Sequence, residues 1–325
     1  MKIRLGFVAM SVQLKNASPS QTMTVTNFEK IMDREAALRK ITRIAASNVQ
    51  NSLRVLRHAV AHEIRVYRFS SKLVPLLGHA LTEDWDFWTK LGPEFEEVGR
   101  FVKEHQVRVS FHPEHFTLLN SMKEEVVASS IADLERHGKM LELMGLDERA
   151  KLVMHVGGSY KDKEKSLARF VENWGLVPES VKARVTLEND DKTYTARETL
   201  GLCERIGVPM VLDIHHHRCN REEDSDLREL APRVFRTWEG TGLVPKVHVS
   251  SPKGTSTEAQ MRSHADTIEV GDLVPFLDLV RELDVDLDVM VEAKRKDEAA
   301  FRLGDELGKV DGVKRIDGGS FLYKE

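Results

Sequence analysis

The stretch Arg-Val-Thr-Leu-Glu, residues 184–188, is a short apolar run that ends on an acid. Five other runs share this pattern, and the six together end on His112, His155, Glu188, Asp213, His248 and Glu292. A run of β-branched and aliphatic residues is typical of a buried parallel strand, which has no apolar reason to end on His, Asp or Glu. Six such endings, separated by helix-length segments, predict a site assembled from strand tips and therefore an enzyme.

Working outward from that stretch, strands and amphipathic segments alternate eight times along the chain. The predicted strands are 3–9, 63–69, 107–112, 151–155, 184–188, 208–213, 245–249 and 287–292. The predicted helices are 29–57, 94–104, 124–144, 164–174, 197–206, 227–238, 273–283 and 297–307. This order predicts an α/β protein, a (β/α)8 TIM barrel with its site at the carboxyl ends of the strands. The alternative, a doubly wound open sheet, would place its ligands at one switch point. Without a linker or repeat, residues 1–325 are expected to form one domain.

Composition excludes several classes of function. The 325 residues are 41% hydrophobic and 31% charged with a net charge of −4, which is typical of a soluble globular protein rather than a basic DNA coat. A protein with this net charge can still have one locally basic face. Two cysteines imply no disulfide framework and favour a reducing, cytoplasmic setting. No apolar run has the length of a membrane span, so no membrane partner is expected, and a monomer is the default expectation.

Histidines are concentrated where the predicted strands end. Seven of the thirteen lie at or just beyond such an end: 112, 115, 155, 215, 216, 217 and 248. One such histidine would usually be an ordinary polar residue, but their joint placement with carboxylates favours a transition-metal site. Lys246 shares a strand face with His248, yet an ammonium cannot coordinate a cation. It either contacts phosphate, carries a carbamate, or is a buried lysine paired with an acid.

Taken together, these residues resemble the UV-damage endonuclease family, relatives of endonuclease IV and, like it, metal-dependent TIM-barrel DNA repair nucleases. The resemblance covers nearly the whole chain. It rests on Arg4-Leu-Gly-Phe7, the loop 15–22, Tyr67-Arg-Phe-Ser-Ser71, His112-Pro-Glu-His-Phe116, Leu187-Glu-Asn189, Asp213-Ile-His-His216, Lys246-Val-His-Val-Ser-Ser251 and Val291-Glu292.

The resemblance implies a site for three divalent ions, with manganese the usual ion and zinc or magnesium as alternatives. One ion would be bound by His112, His155 and Glu188, and a second by Glu188, Asp213, His264 and Glu292. The third would take His216, His248 and Lys246, with Lys246 carboxylated (carbamylated). Glu188 and Lys246 are the expected catalytic residues, and His79 resembles a further family histidine at the edge of the third ion.

The implied activity is incision of double-stranded DNA immediately 5′ of UV photoproducts, namely cyclobutane pyrimidine dimers and 6-4 photoproducts. The pair His115-Phe116 resembles the residues that wedge into the duplex, which are often Gln-Tyr in the family, and Phe7 stands where Tyr is frequent. The expected DNA contacts are Phe7, Lys15, Arg68, Ser70, Ser71, His115, Phe116, Lys253 and Arg262. The rival interpretations are a xylose-isomerase-like sugar isomerase or epimerase and a non-catalytic protein that binds metal or DNA.

Overall fold

The computed structural model describes residues 1–324, and at its centre eight parallel strands form a closed barrel. The strands are β1 (Lys2–Val8), β2 (Val66–Arg68), β3 (Arg108–Phe111), β4 (Lys151–His155), β5 (Val185–Glu188), β6 (Met210–Asp213), β7 (Lys246–Val249) and β8 (Leu287–Val291). Each strand pairs with the next in chain order, and β1 pairs with both β8 and β2. That closure confirms the predicted (β/α)8 barrel and excludes an open sheet.

Helices pack around the barrel between successive strands. They are α1 (Val25–Glu29), α2 (Arg34–Ala61), α3 (Phe87–Glu104), α4 (Glu124–Leu143), α5 (Lys163–Trp174), α6 (Glu179–Lys182), α7 (Ala196–Ile206), α8 (Ile214–Cys219), α9 (Leu227–Arg236), α10 (Glu258–Arg262), α11 (Val274–Val280) and α12 (Lys296–Leu307). Short 3-10 turns span Val270–Asp272 and Arg281–Leu283. Among residues 1–324, no helix is both long and apolar enough to cross a membrane.

Barrel closure depends on a close approach between β1 and β2 at Gly6. A Cβ placed on Gly6 would lie 2.5 Å from the carbonyl oxygen of Val66 and 2.6 Å from the Val66 Cβ. Real side chains do not tolerate such distances, so the residue paired with Val66 has to be glycine for the backbones to come this close.

Two helices begin at residues other than the predicted ones because of local capping interactions. Helix α2 begins at Arg34 rather than at residue 29, because the Asp33 side chain accepts from the amides of Glu35 and Ala36 and so starts a new helix. Helix α7 begins at a capping box in which Thr195 and Glu198 each bond the other's backbone amide.

The chain also contains two strands that the sequence did not predict. Strands β9 (Val313–Arg315) and β10 (Ser320–Tyr323) form an antiparallel hairpin. Strand β10 pairs with residues Lys2–Arg4 of β1, whereas β2 pairs with the following half of β1. The hairpin therefore extends the sheet at the amino-terminal end of the barrel, away from the strand tips.

A charged group lies inside that end of the barrel, centred on Asp288 of β8, which is fully buried. Oδ1 of Asp288 accepts from Nε of Arg4 at 2.6 Å, and Oδ2 accepts from Nη2 of Arg4 at 2.8 Å and from Nη1 of Arg108 at 2.7 Å. Arg108 also donates to the Val244 carbonyl and lies over the ring of Trp238. We call this the Asp288 cluster; its one carboxylate compensates two guanidinium groups.

Candidate metal centre

The carboxyl ends of the central strands bring the predicted ligands to the same mouth of the barrel. His155 ends β4 directly beside Glu188 of β5, and Asp213 of β6 lies beside His248 of β7. The next residue after β3 is His112, and the next after β8 is Glu292. Parallel strands in a barrel share one direction, so residues at their ends converge even when they are far apart in sequence.

Glu188 connects most of these side chains. It is 1% exposed; its Oε2 accepts from Nε2 of His112 at 3.0 Å, and its Oε1 accepts from Nδ1 of His248 at 2.9 Å. Nδ1 of His216 lies 3.7 Å from the same Oε1. The carboxylate thus contacts histidines from three different strand ends, as the common ligand of two ions would.

Two more carboxylates lie beside Glu188. Oε1 of Glu292 is 3.0 Å from Nδ1 of His248 and forms a short ion pair with Arg68, while its Oε2 is 3.9 Å from Nδ1 of His264. Asp213 uses Oδ1 to accept from the amide of His216, which starts helix α8 and turns that imidazole back toward the barrel. This explains the Asp-x-x-His spacing, because the carboxylate caps the turn that carries the histidine.

Close packing of these charges shifts their pKa values in opposite directions. Burial raises the pKa of Asp213 to about 7; His216 opposes the shift, and the neighbouring carboxylates Glu188 and Glu292 add to it. Burial would also raise the pKa of Glu188, but the positive charges of His248 and His155 and the hydrogen bonds from His112 and His248 hold it well below its usual value. The carboxylates in turn raise the pKa of His248 to about 9 against the effect of burial. Three buried acids therefore depend on positive charge close by.

The donor atoms fit divalent metal ions. Two sets have donor atoms that all lie within 4.8 Å of one another: His112, His155 and Glu188, and Glu188, Asp213 and His248. Oδ2 of Asp213 and Nε2 of His248 are buried and make no hydrogen bond within the described residues. Buried polar atoms are normally paired, so a cation bound by both would satisfy them.

The histidine tautomers give a second indication. Nδ1 of His112 donates to the carbonyl of Pro113 at 3.0 Å, and Nδ1 of His216 donates to that of Asn189 at 2.9 Å. His155 makes a longer contact of 3.3 Å from Nδ1 to the Glu188 carbonyl. Metal-binding histidines usually donate one ring nitrogen to such an acceptor and bind the ion with the other, so Nε2 of His112 would give up its proton to Glu188 on binding an ion.

The structure groups some ligands differently from the sequence-based assignment. The first predicted set, His112, His155 and Glu188, is brought together as expected. His248, expected beside His216 and Lys246, instead joins Glu188 and Asp213. Lys246 is 1% exposed and lies two residues before His248 on β7, farther from the mouth of the barrel. Its Nζ donates to Oγ of Ser110 at 3.3 Å. Burial and the nearby charge of Arg108 lower the pKa of Lys246, so a neutral amine is favoured there.

Two further residues lie apart from this cluster. Nδ1 of His79 accepts from the amide of Leu81, and within residues 1–324 no hydrogen bond or ion pair links His79 to the predicted ligands. Phe7, predicted to contact DNA, is fully buried and packs edge-on against Tyr67. Phe7 therefore has no surface for a DNA contact in this structure, because its strand turns the ring into the core.

The remaining residues predicted to contact DNA lie around the mouth or on the exposed loops. Phe116 is 59% exposed, and the neighbouring His115 is also exposed and packs edge-on against it. Lys15 and Lys253 are exposed, whereas Arg262 lies 3.7 Å from a carboxylate oxygen of Asp191. A cavity of about 570 Å³ opens over the candidate ligands, and its lining includes Arg68, Ser70, Ser71, His115 and Lys296.

Asn189 is a positioning residue that sequence reasoning treated only as part of a motif. Its side-chain amide donates to the carbonyl of Asp213 at 3.0 Å, and its Oδ1 accepts from the Asp213 amide at 2.9 Å. Its own carbonyl accepts from His216. Asn189 is buried and so fixes both a carboxylate and an imidazole of the neighbouring strand. In the sequence, the signal for this role is the position of Asn189 directly after Glu188.

Known proteins resemble this chain along nearly its whole length. The profile of the family described as UV-endonuclease UvdE matches residues 3–324. The UV DNA damage endonuclease of Halalkalibacterium halodurans is 46% identical over 314 residues, 96% of each chain. That of Bacillus velezensis is 44% identical over 326 residues and the whole of both chains. The crystal structure of SacUVDE superposes with a TM-score of 0.81 at 31% identity, covering 95% of this chain and 100% of that one.

Proposed function

Since the chain belongs to the UV-endonuclease UvdE family, we propose that it cuts double-stranded DNA immediately 5′ of UV photoproducts, with a cluster of divalent ions. The products would carry a 3′-hydroxyl and a 5′-phosphate, and both cyclobutane dimers and 6-4 photoproducts would be substrates. The observation that carries the proposal is the Glu188-centred set of carboxylates and histidines, which lies at the barrel mouth where a phosphate can reach it.

The ligand assignment follows from the contacts at Glu188. One ion would be held by His112, His155 and Glu188, and a second by Glu188, Asp213 and His248. Glu292, with His264 and His216 nearby, offers further donors for a third ion. Mixed imidazole and carboxylate donors suit manganese or zinc better than magnesium, and manganese is our proposal. Such ions lower the pKa of water and neutralise charge on the attacking and leaving oxygens.

The residues of the chain supply the positions on which that chemistry depends. Glu188 accepts hydrogen bonds from His112 and His248 and so connects imidazoles from opposite sides of the mouth. Arg68 pairs with Glu292, which fixes that carboxylate and places a positive charge beside the path of the DNA backbone. Asn189 holds Asp213 and His216 in register.

Lys246 is better suited to carbamate formation than to direct contact with DNA. Its side chain is 1% exposed, so a backbone phosphate cannot reach Nζ. A neutral amine can attack CO₂, forming an N–C bond and releasing one proton, and the surroundings of Lys246 favour the neutral form. This supports the proposal of a carboxylated Lys246 with a catalytic role.

Lesion recognition requires a group that can enter the duplex. Phe116 is exposed beside the cavity, and its ring could fill the gap left by an extruded photoproduct. Unstacking costs least for damaged bases, which would favour irradiated sites. His115 would add a ring nitrogen where other members often carry the amide of Gln.

The test compares nicking of irradiated and unirradiated supercoiled plasmid by the purified protein in Mn²⁺. We expect damaged plasmid to be nicked in strong preference, with breaks mapping 5′ of dipyrimidines. Equal nicking of both plasmids would contradict lesion specificity. No nicking, together with turnover of a keto sugar, would support the isomerase or epimerase alternative, and binding without any cutting would support a non-catalytic protein.

A further inference from the structure

Lys296 lines the cavity over the candidate metal centre but belongs to neither of its ligand sets. It is the first residue of α12, at the end of the turn that follows β8, on the side of the mouth formed by β8, β1 and β2. The ligands come chiefly from β3 to β7, opposite this side. The mouth therefore has a metal-binding side and a side with positive charge, to which Arg68 and Lys72 also contribute.

The other cations of this mouth are neutralised by carboxylates. Arg68 pairs with Glu292, Lys72 lies 3.8 Å from Glu114, and Arg262 lies 3.7 Å from Asp191. Within residues 1–324, no carboxylate oxygen comes within 4.0 Å of the Lys296 ammonium. Burial, and then repulsion by Arg68, lower the pKa of Lys296, and the charge of Glu292 opposes this shift only in part. A half-buried ammonium with no carboxylate at ion-pair distance is costly unless an anion is bound there.

The turn that carries Lys296 is held in a strained conformation from both sides. Lys296 has a φ of +49°, in the left-handed region that side chains other than glycine's rarely adopt. Before it, the amide of Arg295 donates to the carbonyl of Asp266 at 2.9 Å. After it, buried Asp297 accepts from the amide of Val12 at 2.9 Å and lies 3.2 Å from Nε2 of His58. Such strain persists where the surrounding structure fixes a residue for a task.

We propose that Lys296 binds a backbone phosphate of the DNA strand that is cut and so holds that strand across the metal-binding side of the mouth. This rests on the proposed function, because it presumes that the substrate is DNA. The ammonium would donate to a non-bridging phosphate oxygen, which supplies an anion at ion-pair distance. Lys296 is then a substrate-binding residue with a fixed position, unlike the exposed lysines of the neighbouring loops.

The test uses three substitutions of Lys296 and one matched control. Lys296→Met removes the charge, Lys296→Arg keeps it, and Lys296→Gly removes it while relieving the left-handed backbone. The control is Lys294→Met, which deletes the same charge from an exposed residue of the same turn. For each protein we would measure kcat/KM on irradiated duplex, Kd for duplex over a range of salt, metal content and Tm.

We expect Lys296→Met to lower kcat/KM by roughly ten- to a hundred-fold, the usual effect of losing one charge-assisted hydrogen bond. The slope of log K against log salt should fall in magnitude by about 0.9, one phosphate contact. Lys296→Arg should recover most of the activity, and Lys294→Met should match the unsubstituted protein. Lys296→Gly should be as inactive as Lys296→Met with a Tm no lower than that of the unsubstituted protein, which a purely structural role would not produce.

The inference is overturned if Lys296→Met keeps the original salt slope and kcat/KM, or if Lys294→Met matches its losses. Failure of the proposed function looks different. The unsubstituted protein would then not nick irradiated plasmid at all, and the salt slopes for duplex binding would still decide whether Lys296 contacts phosphate.

Discussion

Replacing Asp288 with asparagine should destabilise the barrel strongly. The amide would keep the shape of the side chain but lose the charge that compensates Arg4 and Arg108. Arg4 is 30% exposed and can be hydrated instead, whereas the Arg108 side chain is only 6% exposed. The main cost is therefore one guanidinium left buried with no opposite charge.

Breaking a buried ion pair by removing one partner costs about 3–5 kcal/mol. Arg108 retains its bond to the Val244 carbonyl and its contact with Trp238, which favours the lower part of that range. We expect a loss of about 3 kcal/mol in the free energy of unfolding, a large part of the ~5–15 kcal/mol typical of folded domains.

Urea unfolding followed by circular dichroism measures this loss. The matched control is Asp305→Asn, which breaks the pair of Asp305 with Arg315 at a site where the two side chains are 67% and 41% exposed. That surface pair should be worth about 1 kcal/mol or less. Adding Arg108→Met to Asp288→Asn should restore much of the stability. If Asp288→Asn costs no more than Asp305→Asn, the buried-charge reasoning is refuted.

Four other results are expected. Glu188→Gln should abolish cutting and lower metal content while duplex binding persists; full metal content by elemental analysis would count against the ligand assignment. Phe116→Ala should reduce the preference for irradiated plasmid by roughly ten-fold, the effect of losing one base-stacking contact. Its metal content should be unchanged, and an unaltered preference would show that Phe116 has no part in lesion recognition. Chelation of ions present at a hundred times their Kd should lower the Tm by roughly 5–10 °C, but much less in Glu188→Gln. Burial lowers the pKa of Lys151 from its usual 10.5 to about 8, so the unfolded chain binds more protons between these two pH values and stability should rise with pH across that window; a Lys151→Met variant with the same rise would contradict this.

Much of the barrel could be predicted because its strands are buried on both sides. All four residues of β5 and of β6 are buried, so both strands appear as unbroken apolar runs, and the polar residue that ends each run marks the mouth. The hairpin of β9 and β10 escaped prediction for the opposite reason. Val313-Lys-Arg315 is partly exposed and has no apolar run, and its partner β10 is held in the sheet by pairing with β1 rather than by a local pattern.

Which candidate ligands have donor atoms close together could not be predicted from strand position alone. Lys246 and His248 lie on one face of β7, as period two requires, yet they contact different partners two residues apart in depth. Side-chain rotamers and the depth of each layer decide the grouping. Lys296 was also indistinguishable from other loop lysines in the sequence, because neither its φ nor the pairing of its neighbours is encoded in a local pattern.

The pairing of β1 has a consequence for synthesis of the chain on the ribosome. Residues 2–8 emerge well before their partners in β8 and β10, which lie more than 280 residues later. Until those residues emerge, one edge of β1 has no partner among them and remains available to other chains. Contacts of such long range also slow folding. A chaperone or helix α2 that covered the unpaired edge of β1 during synthesis would therefore protect the nascent barrel from aggregation.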